Sequence, residues 1–556
     1  MRRRGLVIVA GAILCGALLG PAGAQQTAPV SPEFERLKAQ LAAQQEQIDQ
    51  LRHALEEQKK TLEEASRPKP ASIGEVASTT PIIPATSVAP ALHPSLPAIP
   101  PSQASSEPPP SPLQIHIGTA TIMPVGFMDF TGVFRSASAG SGIGTNFGSI
   151  PYNTSPTARL SEFRLSAQNS RIGARIDAMV HGAKVLGYWE SDFLGFSPVN
   201  AGVSTNSNSF RMRLYWVDVR KDKWEILGGQ SWSMLTPGRK GISPLPSDLF
   251  YSQDVDVNYQ VGLTWSRQPG FRLLYHPSNI VHLGLALESA EQYGGGSGGG
   301  GVITMPASLY TNPPSGTNAP SGPYGNQINT GNQTFNTPNL HPDVIGKIAF
   351  DPMVNGKLMH VEFAGLLSSF KFFNPLNGQH YTTQGGGGSA NFNLELAKNF
   401  RFIANTYFSD GGGRYLFGTA PDLIIRADGS PSPIHASSTV DGFEYQAKNT
   451  LFYAYYGGVY IGRNTAIDPA NKNALIGYGY SGSSNSQNRT IQEGTFGLTQ
   501  TFWKSPNYGS LQFMLQYSYL FRNPWYHAST APRDAHNSTV FINLRYALPG
   551  GPPSAK

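Results

Sequence analysis

The sequence has little charge, a single cysteine and no long apolar segment. Charged residues make up 14% of its 556 residues, against roughly 25% in ordinary soluble proteins. Because Cys15 is the only cysteine, neither an intramolecular disulfide nor a cysteine zinc site can form. Repeated apolar runs of about 20 residues, which a bundle of transmembrane helices needs, are missing. These absences exclude a disulfide-stapled domain and a helical membrane bundle.

Catalytic and cofactor motifs are missing as well. The sequence contains no HExxH, Walker or EF-hand pattern, and its 12 histidines lack metal-ligand spacing. The glycine-rich runs 294–301 and 385–388 do not open helices, so they are interpreted as flexible loop tips. We therefore expect no enzyme activity, no cofactor, no metal and structural or surface histidines. A secreted polysaccharide-cleaving enzyme is disfavoured, because no paired-carboxylate motif occurs.

What the sequence does contain is glycine, proline and aromatic residues. It has 61 Gly, 44 Pro, 24 Tyr and 29 Phe, a composition too aromatic and too weakly charged for a mainly disordered chain. No long basic run follows the first residues, so we expect no nucleic-acid partner. The composition favours an all-β protein with irregular segments attached.

The first 24 residues have the pattern of a signal peptide. Arg2, Arg3 and Arg4 precede an apolar run over residues 6–19, and an A-x-A sequence ends at Ala24. A basic start, a short apolar stretch and small residues at the exit are typical of secretory leaders. We expect export, with cleavage after Ala24 removing Cys15.

Residues 31–66 are predicted to form a coiled-coil helix. Ser31 and Pro32 provide an N-cap and a proline at the first helical position. Apolar residues then follow a heptad seam from Phe34 to Leu62, with Gln44 and Gln58 at two of the four d positions. So weak a seam is stable only when other contacts already hold the chains together.

Residues 67–112 are predicted to be an extended linker. Between residues 68 and 112, 13 of 45 residues are proline. Such a segment favours the polyproline conformation at about 3.1 Å per residue and cannot build a core.

Residues 113–556 are predicted to form an all-β transmembrane barrel of about 16 antiparallel strands. Residues 171–178 alternate strictly between polar and apolar side chains, but a soluble sandwich also alternates. The connections favour the barrel, because long loops alternate with short turns such as 181–183 and 220–223. Two strands, 160–180 and 257–276, are too long, and we expect bulges near residues 169–170 and 269–270.

Polar residues share one face of the early strands and are predicted to line a lumen. The set is Glu162, Arg164, Arg171, Arg175, Asp177, Glu190, Asp192, Arg211 and Arg213, with Arg545 in the last strand. The opposite face, expected to contact lipid, comprises Phe163, Ile172, Ile176, Trp189, Phe210, Met212 and Leu214. A water-filled lumen keeps such charges solvated, whereas a soluble core would not. The alternative for any one of them is that it merely cross-links the wall.

Aromatic residues are expected to form girdles at the two membrane interfaces. The candidates are Trp189, Phe193, Trp216, Trp224, Trp232, Trp265, Trp503, Tyr517 and Tyr519, near strand ends or on apolar faces. Core packing is the competing interpretation for each.

The third long loop, residues 236–256, is a candidate constriction. It carries Arg239, Lys240, Asp248 and Asp254 beside several prolines, and its stiffness and mixed charge suit a loop folded into the lumen. An ordinary external loop is the alternative.

The order of leader, heptad helix, Pro-rich spacer and barrel resembles the DcaP-like porins, relatives of the phosphate-selective porins. The run from Trp224 to Ser233 (WEILGGQSWS), the Thr236–Pro237 pair and the stretch 166–192 are similar to that family. The resemblance implies a homotrimer of sixteen-stranded barrels in the outer membrane of a Gram-negative-type bacterium, with the coil in the periplasm. It also implies passage of small, often anionic, solutes such as dicarboxylates. Family pore arginines would correspond to Arg171, Arg175, Arg211 and Arg213.

We therefore expect an outer-membrane porin for passive diffusion of small anionic or neutral solutes through a water-filled trimeric channel. The alternative is an envelope-tethering or adhesive surface barrel, in which the coil and linker contact the cell wall.

Overall fold

The computed structural model describes residues 45–46, 113–196, 208–249, 253–296, 300–307, 327–328 and 339–549. The predicted signal peptide, the linker and nearly all of the predicted coiled-coil helix lie outside these residues. Gln45 and Glu46 are described, as helical and exposed. The chain divides after Ser102 into two units, and the strands described below belong to the second, residues 103–556. Within the described residues, no helix has the length and apolarity to cross a bilayer.

Sixteen antiparallel strands close into a barrel. They are β1 (Ala120–Arg135), β2 (Glu162–Ser166 and Arg171–Val180), β3 (Ala183–Asp192), β4 (Arg211–Lys221), β5 (Trp224–Trp232), β6 (Arg267–Tyr275), β7 (Val281–Glu288), β8 (Asp343–Phe350), β9 (Lys357–Asn374), β10 (Gln379–Ala397), β11 (Phe400–Asp410), β12 (His435–Ala447), β13 (Thr450–Ile461), β14 (Asn488–Ser505), β15 (Gly509–Pro524) and β16 (Ala535–Ala547). Each strand pairs with its sequence neighbours, and β16 pairs with β1 from Thr539↔Arg135 to Ala547↔Phe127. Closure leaves no unpaired sheet edge, which satisfies the backbone within a bilayer.

Smaller elements accompany the barrel. Strand Ile115–Ile117 adds to the start of β1, and strand Met353–Val354 forms a hairpin with the start of β9. The long loops contain the hairpins Leu423–Ile425/Pro431–Pro433 and Asn464–Asp468/Ala474–Tyr478. Among the described residues, 3-10 turns lie at Phe147–Ser149, Pro156–Arg159, Gly413–Tyr415 and Pro469–Asn471.

The bulge expected in β2 is confirmed. Ser166 pairs with Thr131 and Arg171 with Phe127, so five steps along β2 match four along β1. The extra residue restores the polar side chains to the inner face.

The strand predicted over residues 257–276 is wrong in its first half. Residues 257–266 belong to the preceding loop, and β6 begins at Arg267. The expected bulge near residues 269–270 is also wrong, because β6 keeps one register with both neighbouring strands.

The long loop predicted over residues 370–388 is instead a hairpin. Strands β9 and β10 continue to Asn374 and from Gln379, so Gly385–Gly388 lie within β10 and are not a loop tip. A Cβ at Gly387 would lie 2.7 Å from the carbonyl oxygen of Phe408. The glycines are needed because β11 approaches this closely.

The outer wall is apolar. Phe163, Ile172, Ile176, Phe210 and Met212 are exposed there, as the alternation predicts. Leu214 is an exception and is fully buried. A register shift between Glu190 and Ser191 places Leu214 opposite inward-facing Glu190, which reverses the parity of β4 at this point.

Three of the predicted girdle tryptophans are not at the membrane interface. Trp216, Trp232 and Trp265 are buried with Leu214 and Tyr259 inside the barrel. Trp224, Trp503, Tyr517, Tyr519 and Phe193 are exposed, as a girdle requires.

Candidate functional site

The third long loop is here called loop 3, and its described residues, 233–249 and 253–266, lie inside the barrel. Its backbone N–H groups donate to side chains of four strands: Gly238 to Glu362 of β9 (3.0 Å), Val255 to Gln516 of β15 (2.5 Å), Val261 to Glu493 of β14 (2.9 Å) and Thr264 to Asn405 of β11 (3.2 Å). Only a loop within the lumen can reach all four.

Glycines allow loop 3 to press against the wall. Gly262 has a φ of 86°, and a Cβ there would clash with the carbonyl oxygens of Thr439 and Gly458. On the wall, a Cβ at Gly457 would meet the carbonyl oxygen of Val261. Backbone therefore packs on backbone, and a larger residue at either position would displace the loop.

A buried ion pair ties loop 3 to β12. The guanidinium of Arg239 donates to both carboxylate oxygens of Glu444, at 2.9 and 2.7 Å. The hydroxyl of Tyr455 donates to the same carboxylate at 2.8 Å. Because both ends of the pair are buried, Arg239 is a tether and not a solvated charge of the lumen.

A lysine on β8 makes a second tether. The Lys347 ammonium donates to the carbonyl oxygen of Thr236 at 2.9 Å and to the Glu362 carboxylate at 2.8 Å. Glu362 also accepts from the N–H of Gly238. One buried charge pair thus holds the backbone of loop 3 at two points.

Histidines extend this anchor toward the short-turn rim. The ring of His360 bridges Asp351 (Nδ1–Oδ1, 2.6 Å) and Glu362 (Nε2–Oε2, 3.0 Å). Asp351 also accepts from the N–H of Gly241 at 2.7 Å and lies 3.3 Å from His282. The histidines look scattered in the sequence, because residue 282 lies in β7, residue 351 in the turn after β8, and residues 360 and 362 in β9.

Asp351 keeps its negative charge in this setting. Burial raises its pKa, but hydrogen bonds from His282 and His360 outweigh burial and hold the pKa below the ordinary value of 3.8. The contribution of the Asp351 charge to stability is therefore complete above pH 3.8 and is lost only as the pH falls through the lower folded-state pKa.

Asp351→Asn is expected to destabilise the barrel at neutral pH by about 1–3 kcal/mol, because the amide replaces an acceptor of three hydrogen bonds. Urea unfolding of the detergent-solubilised protein at pH 7 and at strongly acid pH measures the loss. The difference between wild type and variant should shrink in acid. A difference that stays constant down to the lowest pH would contradict the role of the charge.

Five of the predicted lumen charges meet in one cluster beside loop 3. Arg213 donates to Glu190 and to Asp192, each at 2.7 Å. Arg211 makes two hydrogen bonds with Asp192, at 3.0 and 2.8 Å, and Arg171 lies 3.5 Å from Glu190. The alternation of β2, β3 and β4 brings these five residues together, although Arg213 is fully buried where sequence analysis expected solvation.

A fourth arginine joins the cluster and was missed from the sequence. The guanidinium carbon of Arg267 lies 5.5 and 5.7 Å from the ring centroids of Trp232 and Trp265, and that of Arg213 lies 5.9 Å from Trp232. In the described part of the chain Arg267 forms no ion pair with a carboxylate. The cluster thus holds four arginines and two acids. Because residues 257–266 were predicted as strand, Arg267 did not stand out as the first residue after a loop.

The remaining predicted strand residues also point inward. Glu162 pairs with Arg164 at 3.2 Å and with buried Arg135 at 3.0 Å. Arg175 and Asp177 form an ion pair along one strand, at 2.7 Å. Arg545 pairs with Asp129 at 2.8 Å.

The other loop 3 charges differ in exposure. Lys240 is exposed, whereas Asp248 and Asp254 are half-buried. Burial raises the pKa of Asp248 despite hydrogen bonds from Ser243 and Ser247 and the charges of Lys240 and Arg175.

Side-chain exposure is concentrated along the wall from β2 to β4. Arg164 is 47% exposed, Arg211 36%, Asp177 31% and Arg175 23%. The charges on the opposite wall, such as Glu362 and Glu444, are buried under loop 3. The accessible charged surface of this site thus lies between loop 3 and β2–β4, with three cations and one anion among these four side chains.

The long-loop end of the lumen is packed with apolar side chains. Phe147 and Ile150, Leu235, Tyr415 and Tyr478 come from four loops and share one buried cluster. Loops therefore fill space that the sequence analysis assigned to water.

The chain was compared with known proteins. No protein-family model matches it, and no curated protein matches it significantly. The outer membrane channel DcaP of Acinetobacter baumannii superimposes with a TM-score of 0.53 at 16% identity, over 77% of this chain and 97% of that one.

Two other solved structures are more distant. OprB of Pseudomonas putida has a TM-score of 0.41 at 9% identity and covers 76% of this chain and 94% of its own. The anion-selective porin of Comamonas acidovorans has a TM-score of 0.40 at 11% identity, and the match covers 77% of this chain and 99% of that one. Neither score is high enough to carry an argument. The similarity to DcaP confirms, at the level of the fold, the resemblance found in the sequence: the described barrel has the fold of that outer-membrane channel.

Proposed function

We propose that this chain forms an outer-membrane channel for passive diffusion of small hydrophilic solutes, with preference for anions. The observation that carries the proposal is the accessible surface between loop 3 and β2–β4, where Arg164, Arg175 and Arg211 outnumber Asp177. Residues 113–556 also carry 31 basic and 25 acidic residues, an excess of the same sign. The fold shared with DcaP supports a channel and says nothing of the solute.

Passage of this kind needs no turnover. Loop 3 sets the width of the path by its tethers to β8, β9 and β12, and the partly exposed arginines attract anions into it. Fixed charges of one sign beside a narrow aqueous path select solutes by their charge. Because Arg211 and Arg175 are ion-paired on one side only, their remaining donors can face a passing carboxylate or phosphate.

The proposed assembly is a homotrimer in outer-membrane lipid, related to the DcaP-like porins, with residues 31–66 as a periplasmic coiled coil. The heptad seam supports this, since barrels held side by side would supply the local concentration that so weak a seam needs. The apolar outer wall supports insertion in lipid.

Reversal potentials in planar bilayers under a salt gradient test the selectivity. The wild type is expected to prefer anions, and R175Q/R211Q to lose that preference, with roughly a fivefold change in the permeability ratio per charge removed. R533Q, which neutralises an exposed arginine between β15 and β16, is the matched control and should behave as wild type. Cation preference in the wild type would refute the anion claim, and the lack of any conductance would refute the channel.

A further inference from the structure

Two arginines lie close to one tryptophan at the rim formed by the long loops. The guanidinium carbons of Arg463 and Arg489 lie 5.7 and 5.0 Å from the ring centroid of Trp525. Both arginines are exposed. In the part of the chain that the structure describes, neither side chain forms an ion pair or a hydrogen bond.

The side chain of Trp525 is fixed in place. Its indole Nε1–H donates to the carbonyl oxygen of Ile461 at 2.9 Å, and its backbone N–H donates to that of Gln487 at 3.0 Å. Its ring packs against Gly479, where a Cβ would lie 2.7 Å from the ring. Two like charges are therefore held near a rigid aromatic surface without a counter-charge.

This group lies at the edge of the barrel, where Trp525 packs against the buried apolar cluster on one side and against an outward-facing tyrosine on the other. The ring of Trp525 contacts Tyr460 at a centroid distance of 6.1 Å, and Tyr460 is exposed between buried Val459 and Ile461. Arg489 lies at a register shift between Asn488 and Thr490, which frees its side chain from the inward–outward alternation of β14.

An apolar and aromatic wall continues directly below. Tyr456, Phe496, Tyr517 and Tyr519 are exposed on the outer faces of β13, β14 and β15. Exposed aromatics on a barrel mark the level of lipid headgroups. The two guanidinium groups thus lie where the headgroups of the leaflet nearest the long loops begin.

We propose that Arg463, Arg489 and Trp525 bind the phosphate of a phosphorylated lipid headgroup. Guanidinium groups bind phosphate oxygens through paired hydrogen bonds, and an anion that both arginines contact would relieve their mutual repulsion. The proposal depends on the barrel being inserted in lipid but not on its conducting solutes.

Native mass spectrometry of the full chain in detergent tests this lipid binding. Two samples are compared, one with lipid A that carries two phosphates and one with the same lipid lacking them. Wild type is expected to retain the phosphorylated form, and R463Q/R489Q to lose it on the order of tenfold or more. R463K/R489K, which keeps charge but not the planar fork, should bind at an intermediate level. R533Q, which replaces an exposed arginine of the neighbouring loop, should retain the phosphorylated lipid as the wild type does.

Inorganic phosphate is added in a separate arm to distinguish the lipid from the free ion. Retention that does not depend on the lipid's phosphates, or that survives in R463Q/R489Q, would overturn the proposal. So would binding of inorganic phosphate without retention of the lipid, or a change of oligomeric state in the variant, which would make this face a contact between subunits. Heat-modifiable migration and conductance, both expected to be unchanged, show that the variants fold and separate this result from the channel proposal.

Discussion

Arg213→Ala is expected to lower the free energy of unfolding by about 3–5 kcal/mol, because it leaves buried carboxylates without their main partner. Arg213 lies fully buried between Glu190 and Asp192, 2.7 Å from each. Its removal leaves two carboxylates close together, compensated by the longer contact of Arg171, by the partly exposed Arg211 and by the more distant charge of Arg267. Urea unfolding in detergent, followed by heat-modifiable migration, measures the loss.

Arg164→Ala is the matched control. It removes an inward-facing arginine of comparable pairing, 3.2 Å from Glu162, but its side chain is largely solvated. Solvent screening limits its expected cost to about 1 kcal/mol or less. Equal losses for Arg213 and Arg164 would show that burial of the cluster is not what makes it important.

Arg239→Gln is expected to free loop 3 from β12 and to raise the single-channel conductance. Breaking a buried pair by removing one partner costs about 3–5 kcal/mol, so the population of the displaced loop should rise on the order of a hundredfold or more. Planar-bilayer recording should show a higher and noisier open level. Glu444 remains bonded to Tyr455, which keeps β12 intact.

Two variants separate release of the loop from general damage. R239Q/E444Q leaves no uncompensated charge, so it should regain stability while keeping the high conductance. Lys240→Gln removes the adjacent but exposed charge. It should leave loop 3 in place, and its single-channel conductance should not rise as in R239Q. A conductance that is unchanged in R239Q, with the barrel folded, would contradict the constricting role of loop 3.

Alternation and loop rhythm were strong enough to predict the barrel. The number of strands and the β2 bulge were both predicted, because lipid on one side and lumen on the other impose a period of two on every strand. The same pattern failed wherever another contact replaced lipid or water. Residues 257–265 have the composition of a strand, yet Tyr259 and Trp265 pack inside the barrel against Trp232. Gly385–Gly388 resemble a loop tip, yet close approach of β11 makes them strand.

The site could be predicted only in part for a related reason. Glu190, Asp192, Arg211 and Arg213 were found because β3 and β4 are consecutive strands whose alternation aims them at one point. Arg267 was missed because its partners Trp232 and Trp265 meet it only after loop 3 folds inward. The pairs Arg239–Glu444 and Gly241–Asp351 join residues 205 and 110 positions apart, and local pattern carries no information on such separations.

What the sequence determined by itself is therefore the β-barrel with one polar face, whereas the leader, the heptad helix and the proline-rich spacer stay predictions. That much follows from local periodicity, because solvent on each side of a strand selects residue type one position at a time. The tertiary structure alone decided which of the inward charges are exposed. Loop 3 buries those on β8, β9 and β12 in compensated pairs and leaves those on β2 and β4 accessible, since a charge excluded from water must find a partner and a solvated one need not.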